Sequence, residues 1–218
     1  MKGKFIVFEA LDAAGKSTQV DQLAHQLRTE GIDIWKTKEC TDGPIGQILR
    51  SDYLSGKQKC DEKVINILMA ADRLEHVASQ NGIIDRINKG QWVICDRFVL
   101  SAFAYDNYMH TDINDLNNGF DYTYNMNKVA MSKIVPDITI FLDVPVDECI
   151  SRLTARGGKP EVFENKPKLE LIAKTYERAK LYLKDQKKYD MNVININGNR
   201  GIDEISREIY NVVKQQFL

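Results

Sequence analysis

The chain has 218 residues, of which 43% are hydrophobic and 28% charged, enough apolar material to bury the core of one α/β domain. Thirty lysines and arginines against thirty-one aspartates and glutamates leave a net charge of -1, which excludes a global field that recruits polymeric nucleic acid or a membrane surface. No stretch approaches the roughly eighteen apolar residues of a membrane span, and the opening MKGKFIVFEA lacks a signal-peptide pattern, so a soluble cytoplasmic protein is the expectation.

Phe5-Ile6-Val7-Phe8 predicts a buried strand, and residues 15–30 predict a helix with Val20, Leu23 and Leu27 at helical spacing. A second strand is predicted at Ile32-Asp33-Ile34-Trp35, followed by a loop and a short helix over 45–54. Residues 62–88 predict one long helix, with Gly82 a local weak point. Trp92-Val93-Ile94-Cys95 is a third strand that ends at Asp96. The polar, Asn-rich stretch 107–124 predicts a surface excursion. Ile138-Thr139-Ile140-Phe141-Leu142 is a fourth strand, ending at Asp143. A basic, glycine-containing loop, Arg156-Gly157-Gly158-Lys159-Pro160, separates two helices. Val193-Ile194-Asn195-Ile196 supplies a fifth strand, and an amphipathic helix over 202–217 closes the chain. Strands that are continuously apolar, with helices between them, indicate a five-stranded parallel sheet covered on both faces. Right-handed crossovers then give a three-layer α/β sandwich, expected as a single domain over 1–218. Cys40, Cys60, Cys95 and Cys149 form no CxxC pair, which suits a reducing compartment, and Cys95 and Cys149 read as core residues.

The most informative run is FIVFEALDAAGKST. A buried strand enters a loop of small residues, and Gly15-Lys16-Ser17 opens a helix, the context of a phosphate-binding loop. Successive backbone N–H groups and the helix N-terminus make an anion cradle. Lys16 would reach the β- and γ-phosphates of ATP, and the Ser17 hydroxyl would ligate Mg2+. The expected nucleotide-binding set is Ala10, Asp12, Ala13, Ala14, Gly15, Lys16, Ser17 and Thr18. Ala10 stands where the motif asks for glycine. If that position needs a left-handed backbone, alanine costs about 1–2 kcal/mol, and if it needs only close approach the methyl is tolerated. At the end of the third strand, Asp96 and Arg97 emerge where phosphates gather in open parallel sheets. Asp96 can hold Mg2+ through water, and Arg97 can grip a phosphate with two hydrogen bonds.

With both segments in hand, the chain resembles the thymidylate kinase family. The matching runs are FIVFEALDAAGKSTQ, IGQILR, MAADRLEHV, WVICDRFVLSAFAYD and PDITIFLDV, in family order along nearly the whole chain. The resemblance implies transfer of the γ-phosphoryl group of ATP to dTMP, with Mg2+, in a homodimer built on the helix near 62–88. Arg97 and Arg50 would hold the acceptor phosphate, Arg73 would reach the pyrimidine edge, and Asp12 would receive the sugar 3′-hydroxyl. Tyr105 would crowd out a 2′-hydroxyl, and Glu39, Met69, Ser101, Ala102 and Asp106 would complete the acceptor pocket. Because the P-loop carries Ala13 where some members have arginine, a lid at about 155–164 should supply the catalytic arginine, with Arg156 the first candidate and Arg152 the second. The catalytic set is then Lys16, Arg97, Arg156 and Asp12. This chain departs from the family at Lys38-Glu39-Cys40-Thr41, which replaces Arg-Glu-Pro-Gly and should loosen a turn, and at Met69, Ala102 and Asp106 around the base. Those departures keep dUMP or dCMP open as acceptors, and Ala10 keeps open a catalytically silent nucleotide-binding relative.

Overall fold

The most apolar strand takes the centre of the sheet, as a strand buried on both faces must. In the computed structural model, which describes residues 2–110, 112–157, 165–185 and 189–218, five parallel strands pair in the order β2-β3-β1-β4-β5. They are β1 Phe5–Ala10, β2 Ile34–Lys38, β3 Trp92–Asp96, β4 Ile138–Asp143 and β5 Val193–Asn197. Every residue of β1 is buried, whereas the edge strands β2 and β5 are partly exposed. Lys36 and Lys38 keep the β2 edge charged, which discourages pairing with another sheet. The helices are α1 Lys16–Thr29, α2 Pro44–Ile48, α3 Glu62–Ala78, α4 Ile83–Asn88, α5 Val99–Asn107, α6 Ile113–Met131, α7 Val146–Arg156, α8 Lys166–Asp185 and α9 Ile202–Phe217. With α1 packed on α9, and α5 packed on α3, α6 and α8, this is the expected α/β sandwich. The register pairs Phe8 with Asp96, and Asp96 with Lys38. The carboxyl ends of β1, β3 and β2 therefore open on one crevice. Chain order reverses there, since β1 leads to one side of the sheet and β3 to the other.

Four expectations are corrected. The second strand runs Ile34–Lys38, because parallel pairing with β3 recruits Thr37 and Lys38, which carry no apolar signal. The long helix over 62–88 is two helices, α3 and α4. Between them Ser79 and Gly82 are extended and Asn81 has φ 64. A Cβ on Gly82 would lie 2.6 Å from the His76 carbonyl oxygen, so glycine lets α4 fold back against the end of α3. The helix over 45–54 is α2 continued by a π-helical turn, Leu49–Leu54. The supposed excursion 107–124 contains most of α6, which buries Leu116, Phe120, Thr123, Asn127, Ala130 and Met131. Polar members of that stripe hid its period: Asn107 Nδ2 donates to Thr123 Oγ1 at 2.9 Å, and Asn127 Nδ2 to the Thr123 carbonyl at 2.8 Å. The pairing satisfies groups that would otherwise be costly to bury.

Phe120 is the apolar anchor of α6, with its ring centroid 5.7 Å from Phe103 and 5.0 Å from Tyr182. Phe120→Ala is expected to lower the unfolding free energy by about 3–5 kcal/mol in urea titration, with an unchanged m-value. A loss below about 1 kcal/mol would mean that α6 is not part of the cooperative core.

Candidate active site

The turn between β1 and α1 carries strain at a different residue from the one suspected. Ala10 is the last residue of β1, fully buried and paired with Leu142, so its methyl costs no left-handed strain. The left-handed residues are Ala13 at φ 60 and Gly15 at φ 91. Lys16 is 7% exposed and donates to the Leu11 carbonyl at 3.2 Å, with its Nζ 4.0 Å from Asp96. Burial, helped by Arg97, pulls its pKa down, while Asp96, Asp12 and Glu9 oppose that. An incoming polyphosphate would stabilise the charged form. Ser17 Oγ donates to Asp96 Oδ2 at 2.8 Å, so the two residues expected at the metal lie in contact across the crevice. Among the described residues no group of three His, Cys, Asp or Glu side chains could hold a metal ion. One hydroxyl and one carboxylate fit Mg2+, which retains waters and takes its other ligands from phosphates.

Arg97 leaves β3 in the left-handed region, at φ 72, and its amide donates to the Phe8 carbonyl at 2.8 Å. Its Nη1 donates to the Ala10 carbonyl, Ser101 Oγ and Tyr176 OH at 3.0, 3.1 and 3.1 Å. Its Nη2 donates to Asp12 Oδ1 at 2.5 Å. Tyr105 OH donates to the other oxygen of Asp12 at 2.9 Å, and the Arg97 guanidinium sits 4.9 Å from the Tyr105 ring centroid. Burial raises the Asp12 pKa, yet the charges of Arg97 and Lys16 and the Tyr105 bond hold it below the usual carboxylate range. Asp12, Lys16, Ser17, Asp96, Arg97 and Tyr105 thus form one charged cluster at the ends of β1 and β3. Ser17 and Thr18 are exposed at its rim.

Two residues without a sequence-derived role organise this cluster. Glu9, fully buried, accepts from the Phe98 and Ser101 amides at 3.0 and 3.1 Å and also from the Ser101 hydroxyl. It thereby caps the start of α5 from the neighbouring strand. Burial raises its pKa despite those donors and Arg97. Tyr176, on α8, places its hydroxyl 2.8 Å from Ser101 Oγ and 3.3 Å from Glu9 Oε2. Glu9 lies in the run FIVFEALDAAGKSTQ that carries the resemblance, a lone carboxylate one residue before the end of an apolar strand. Tyr176 carries no such signal.

On the acceptor side, Arg73 is 1% exposed. Its Nε and Nη2 meet Glu39 Oε2 at 2.8 and 2.6 Å, its Nη1 meets Asn127 Oδ1 at 2.5 Å, and Nη2 also reaches the Phe98 carbonyl at 3.4 Å. Asp106 lies on the same side, and burial lifts its carboxyl to about 7 against the pull of Arg73. With its amide nitrogen turned inward, Asn66 donates to Asp106 Oδ1 at 3.1 Å. Met69 is half-buried, its sulfur 3.2 Å from Cys40 Sγ, and Ala102 is buried. The turn after β2 is not loose. Arg50 donates to the carbonyls of Cys40 and Thr41, both at 2.5 Å, and to Asp42 at 2.8 Å. Asp72 accepts from the Thr41 amide and hydroxyl at 2.8 and 2.6 Å. These bonds do the work expected of the absent proline and glycine.

The two candidate catalytic arginines part company. Arg152 reaches the phosphate loop, its Nη1 3.3 Å from the Ala14 carbonyl, and is braced by Glu148 at 2.8 Å. Arg156 ends α7 with its side chain exposed. Residues 158–164 of the expected lid lie outside the described residues.

Known proteins resemble this chain along most of its length. A family model described as thymidylate kinase matches residues 8–209. A thymidylate kinase of Desulfotalea psychrophila is 33% identical over 218 residues, covering 98% of this chain and 95% of its own length. One from Halothermothrix orenii is 33% identical over 215 residues and covers 98% of each. A third, from a Bradyrhizobium species, is 36% identical over 167 residues, covering 75% of this chain and 70% of its own length.

Two outcomes follow from the backbone and the charges. Ala13→Gly removes left-handed strain but loosens the unfolded chain, so a net gain of about 0.5–1 kcal/mol is expected in thermal or urea unfolding. A loss of stability would contradict the strain. For Asp106, a pKa raised to about 7 means a contribution to stability that is complete below the ordinary carboxylate pKa and lost as pH rises through about 7. Asp106→Asn should therefore improve the melting temperature relative to the parent more at about pH 8 than at about pH 5. A pH-independent difference would refute the raised pKa.

Proposed function

This chain belongs to the thymidylate kinase family, and from that premise we propose how its own residues carry the reaction. It transfers the γ-phosphoryl group of ATP to dTMP and yields dTDP. Residues 9–18 wrap the triphosphate, with Lys16 on the β- and γ-oxygens. Ser17 and Asp96 hold Mg2+, which when bound neutralises charge developing on the transferring group. Arg97 and Arg50 grip the acceptor phosphate. Asp12 and Tyr105 take the sugar, with Tyr105 disfavouring a 2′-hydroxyl. Arg73, placed by Glu39, meets the pyrimidine beside Met69, Ser101, Ala102 and Asp106. The observation that carries this reading is the contact of Ser17 with Asp96, with Lys16 and the Asp12–Arg97 pair beside it. Phosphoryl transfer asks for positioned cations more than for covalent chemistry. A catalytically silent relative is not favoured, because that set is complete. Nor are dUMP or dCMP as preferred acceptors, since the similar proteins over most of the chain are thymidylate kinases.

Arg156 remains the lid arginine of this proposal, and Arg152 competes for the role through its place at Ala14. The chain acts as one domain over 1–218, supported by a single hydrophobic cluster that spans all five strands. A homodimer on the α3 side is supported by Val64 and Ile67, 43% and 51% exposed on one helical face. Among the described residues no helix is long and apolar enough to cross a membrane, and a cytoplasmic setting belongs to the same proposal.

Lys16→Ala is expected to lower kcat/KM by about 100-fold or more in a coupled ADP-release assay, and unchanged turnover would refute the phosphate loop. The same assay should favour dTMP over dCMP and dUMP, and faster turnover of dCMP would overturn the substrate. Arg156→Ala and Arg152→Ala, compared for kcat at saturating ATP and dTMP, identify the catalytic arginine by the larger loss. Light scattering should find a dimer, and a 24.9 kDa species at micromolar concentration would refute it.

A further inference from the structure

The two oxygens of Glu39 are divided between two partners. Oε2 receives Arg73, and Oε1 lies 3.3 Å from His76 Nδ1. The other imidazole nitrogen, Nε2, lies 2.7 Å from Thr37 Oγ1. Arg73 and His76 are three apart on α3 and so neighbours on one face. Trp35, Thr37 and Glu39 alternate along β2 and its exit and so share one face of that strand. The Trp35 ring stands edge-on to the imidazole with centroids 5.7 Å apart. The row Arg73–Glu39–His76–Thr37 is thus a hydrogen-bonded chain between α3 and the sheet edge. Arg73, Glu39 and His76 are 1%, 9% and 4% exposed. With Nδ1–H directed at the Glu39 carboxylate, a neutral imidazole has Nε2 left to accept from the Thr37 hydroxyl.

We propose that His76 is a positioning residue for acceptor recognition: it holds the Glu39 carboxylate so that Glu39 aims the Arg73 guanidinium, while Thr37 sets the tautomer of the ring. The inference rests on the reading that Arg73 meets the pyrimidine. Without the imidazole, Oε1 is a buried acceptor lacking its partner, and the carboxylate turns to find another. Arg73 follows it. Among the described residues no side chain of the phosphate loop bonds to this row, whose nearest link to it is Arg73 on the Phe98 carbonyl, so the effect is expected mainly on the acceptor. Beyond Thr37 and His76 opens a cavity of about 290 Å³, lined also by Trp35, Thr41, Glu75 and Ser79. That opening gives a small imidazole access to the site of a truncated His76.

The test compares His76→Ala, His76→Gln, Thr37→Val and Arg73→Ala by initial rates with dTMP and ATP varied in turn, with and without added imidazole. His76→Ala is expected to raise the KM for dTMP about tenfold with the KM for ATP unchanged. Imidazole should restore most of that loss, an effect that a merely structural role would not produce. His76→Gln, which keeps a donor toward Glu39, should lose about threefold or less, and Thr37→Val a similar amount. A dTMP KM unchanged in His76→Ala while Arg73→Ala raises it would overturn the positioning role alone. No change in Arg73→Ala would overturn the premise and the inference together. Equal increases in both KM values, without rescue, would also overturn it. Should His76→Ala not fold, Thr37→Val decides: a raised dTMP KM at constant ATP KM supports the chain, and no change refutes it.

Discussion

A carboxylate sealed inside the protein at the end of its central strand is the constraint on which the site depends. Glu9 has no access to water, and an unpaired charge there would cost several kcal/mol. Its donors come from two other elements, the α5 amides and hydroxyl at Phe98 and Ser101 and the α8 hydroxyl of Tyr176. Satisfying one buried group therefore locks three elements to one another. Arg97 stands just before α5, and Tyr105 and Asp106 lie along it, so their positions descend from Glu9. Tyr176 carries the same constraint to α8.

Backbone strain concentrates around that constraint. Among the described residues only Ala13, Asn81 and Arg97 combine a side chain with positive φ, and two of the three belong to the phosphate site. Each costs about 1–2 kcal/mol relative to an ordinary backbone. The surroundings over-determine both. At Arg97 the amide is tied to β1 and the guanidinium to four acceptors. At Ala13 the strained turn lies between the end of β1 and Lys16. Strain held this way keeps cations and N–H groups aimed before a ligand arrives, which lowers the ordering cost of binding.

The acceptor half is held by a different device. The loop after β2 holds a cis peptide at Glu39–Cys40 but no positive φ. Instead Arg50, Asp72 and the Arg73–Glu39–His76 row tie the loop after β2 to α3. Buried charge pairs add little net stability compared with apolar packing, but they fix geometry because only one arrangement satisfies all the donors. The departures at Cys40 and Thr41 are tolerated for that reason.

The strands, their parallel sense and the phosphate loop were legible in the amino-acid sequence, because apolar runs and a Gly-Lys-Ser helix start are local patterns with few alternatives. So were the places of Lys16 and Ser17 at the start of α1 and of Asp96 and Arg97 at the end of β3. Misread were the elements whose buried faces are polar. Thr123, Asn107 and Asn127 made α6 look like a surface loop, since a hydropathy pattern cannot see that their hydrogen bonds are satisfied internally. The break between α3 and α4 falls at Gly82, where an added Cβ would lie 2.6 Å from the His76 carbonyl oxygen, a steric fit that hydropathy does not register. Nor does it register the bond between Glu9 and Tyr176, which are 167 residues apart. The sequence by itself determined roughly where the strands lie and which loop enters the first helix through Gly-Lys-Ser, because those depend on neighbours along the chain. Only the tertiary structure decided how charges are paired, which residue carries the strain and what holds Arg73, because each is settled by partners that chain order does not bring together.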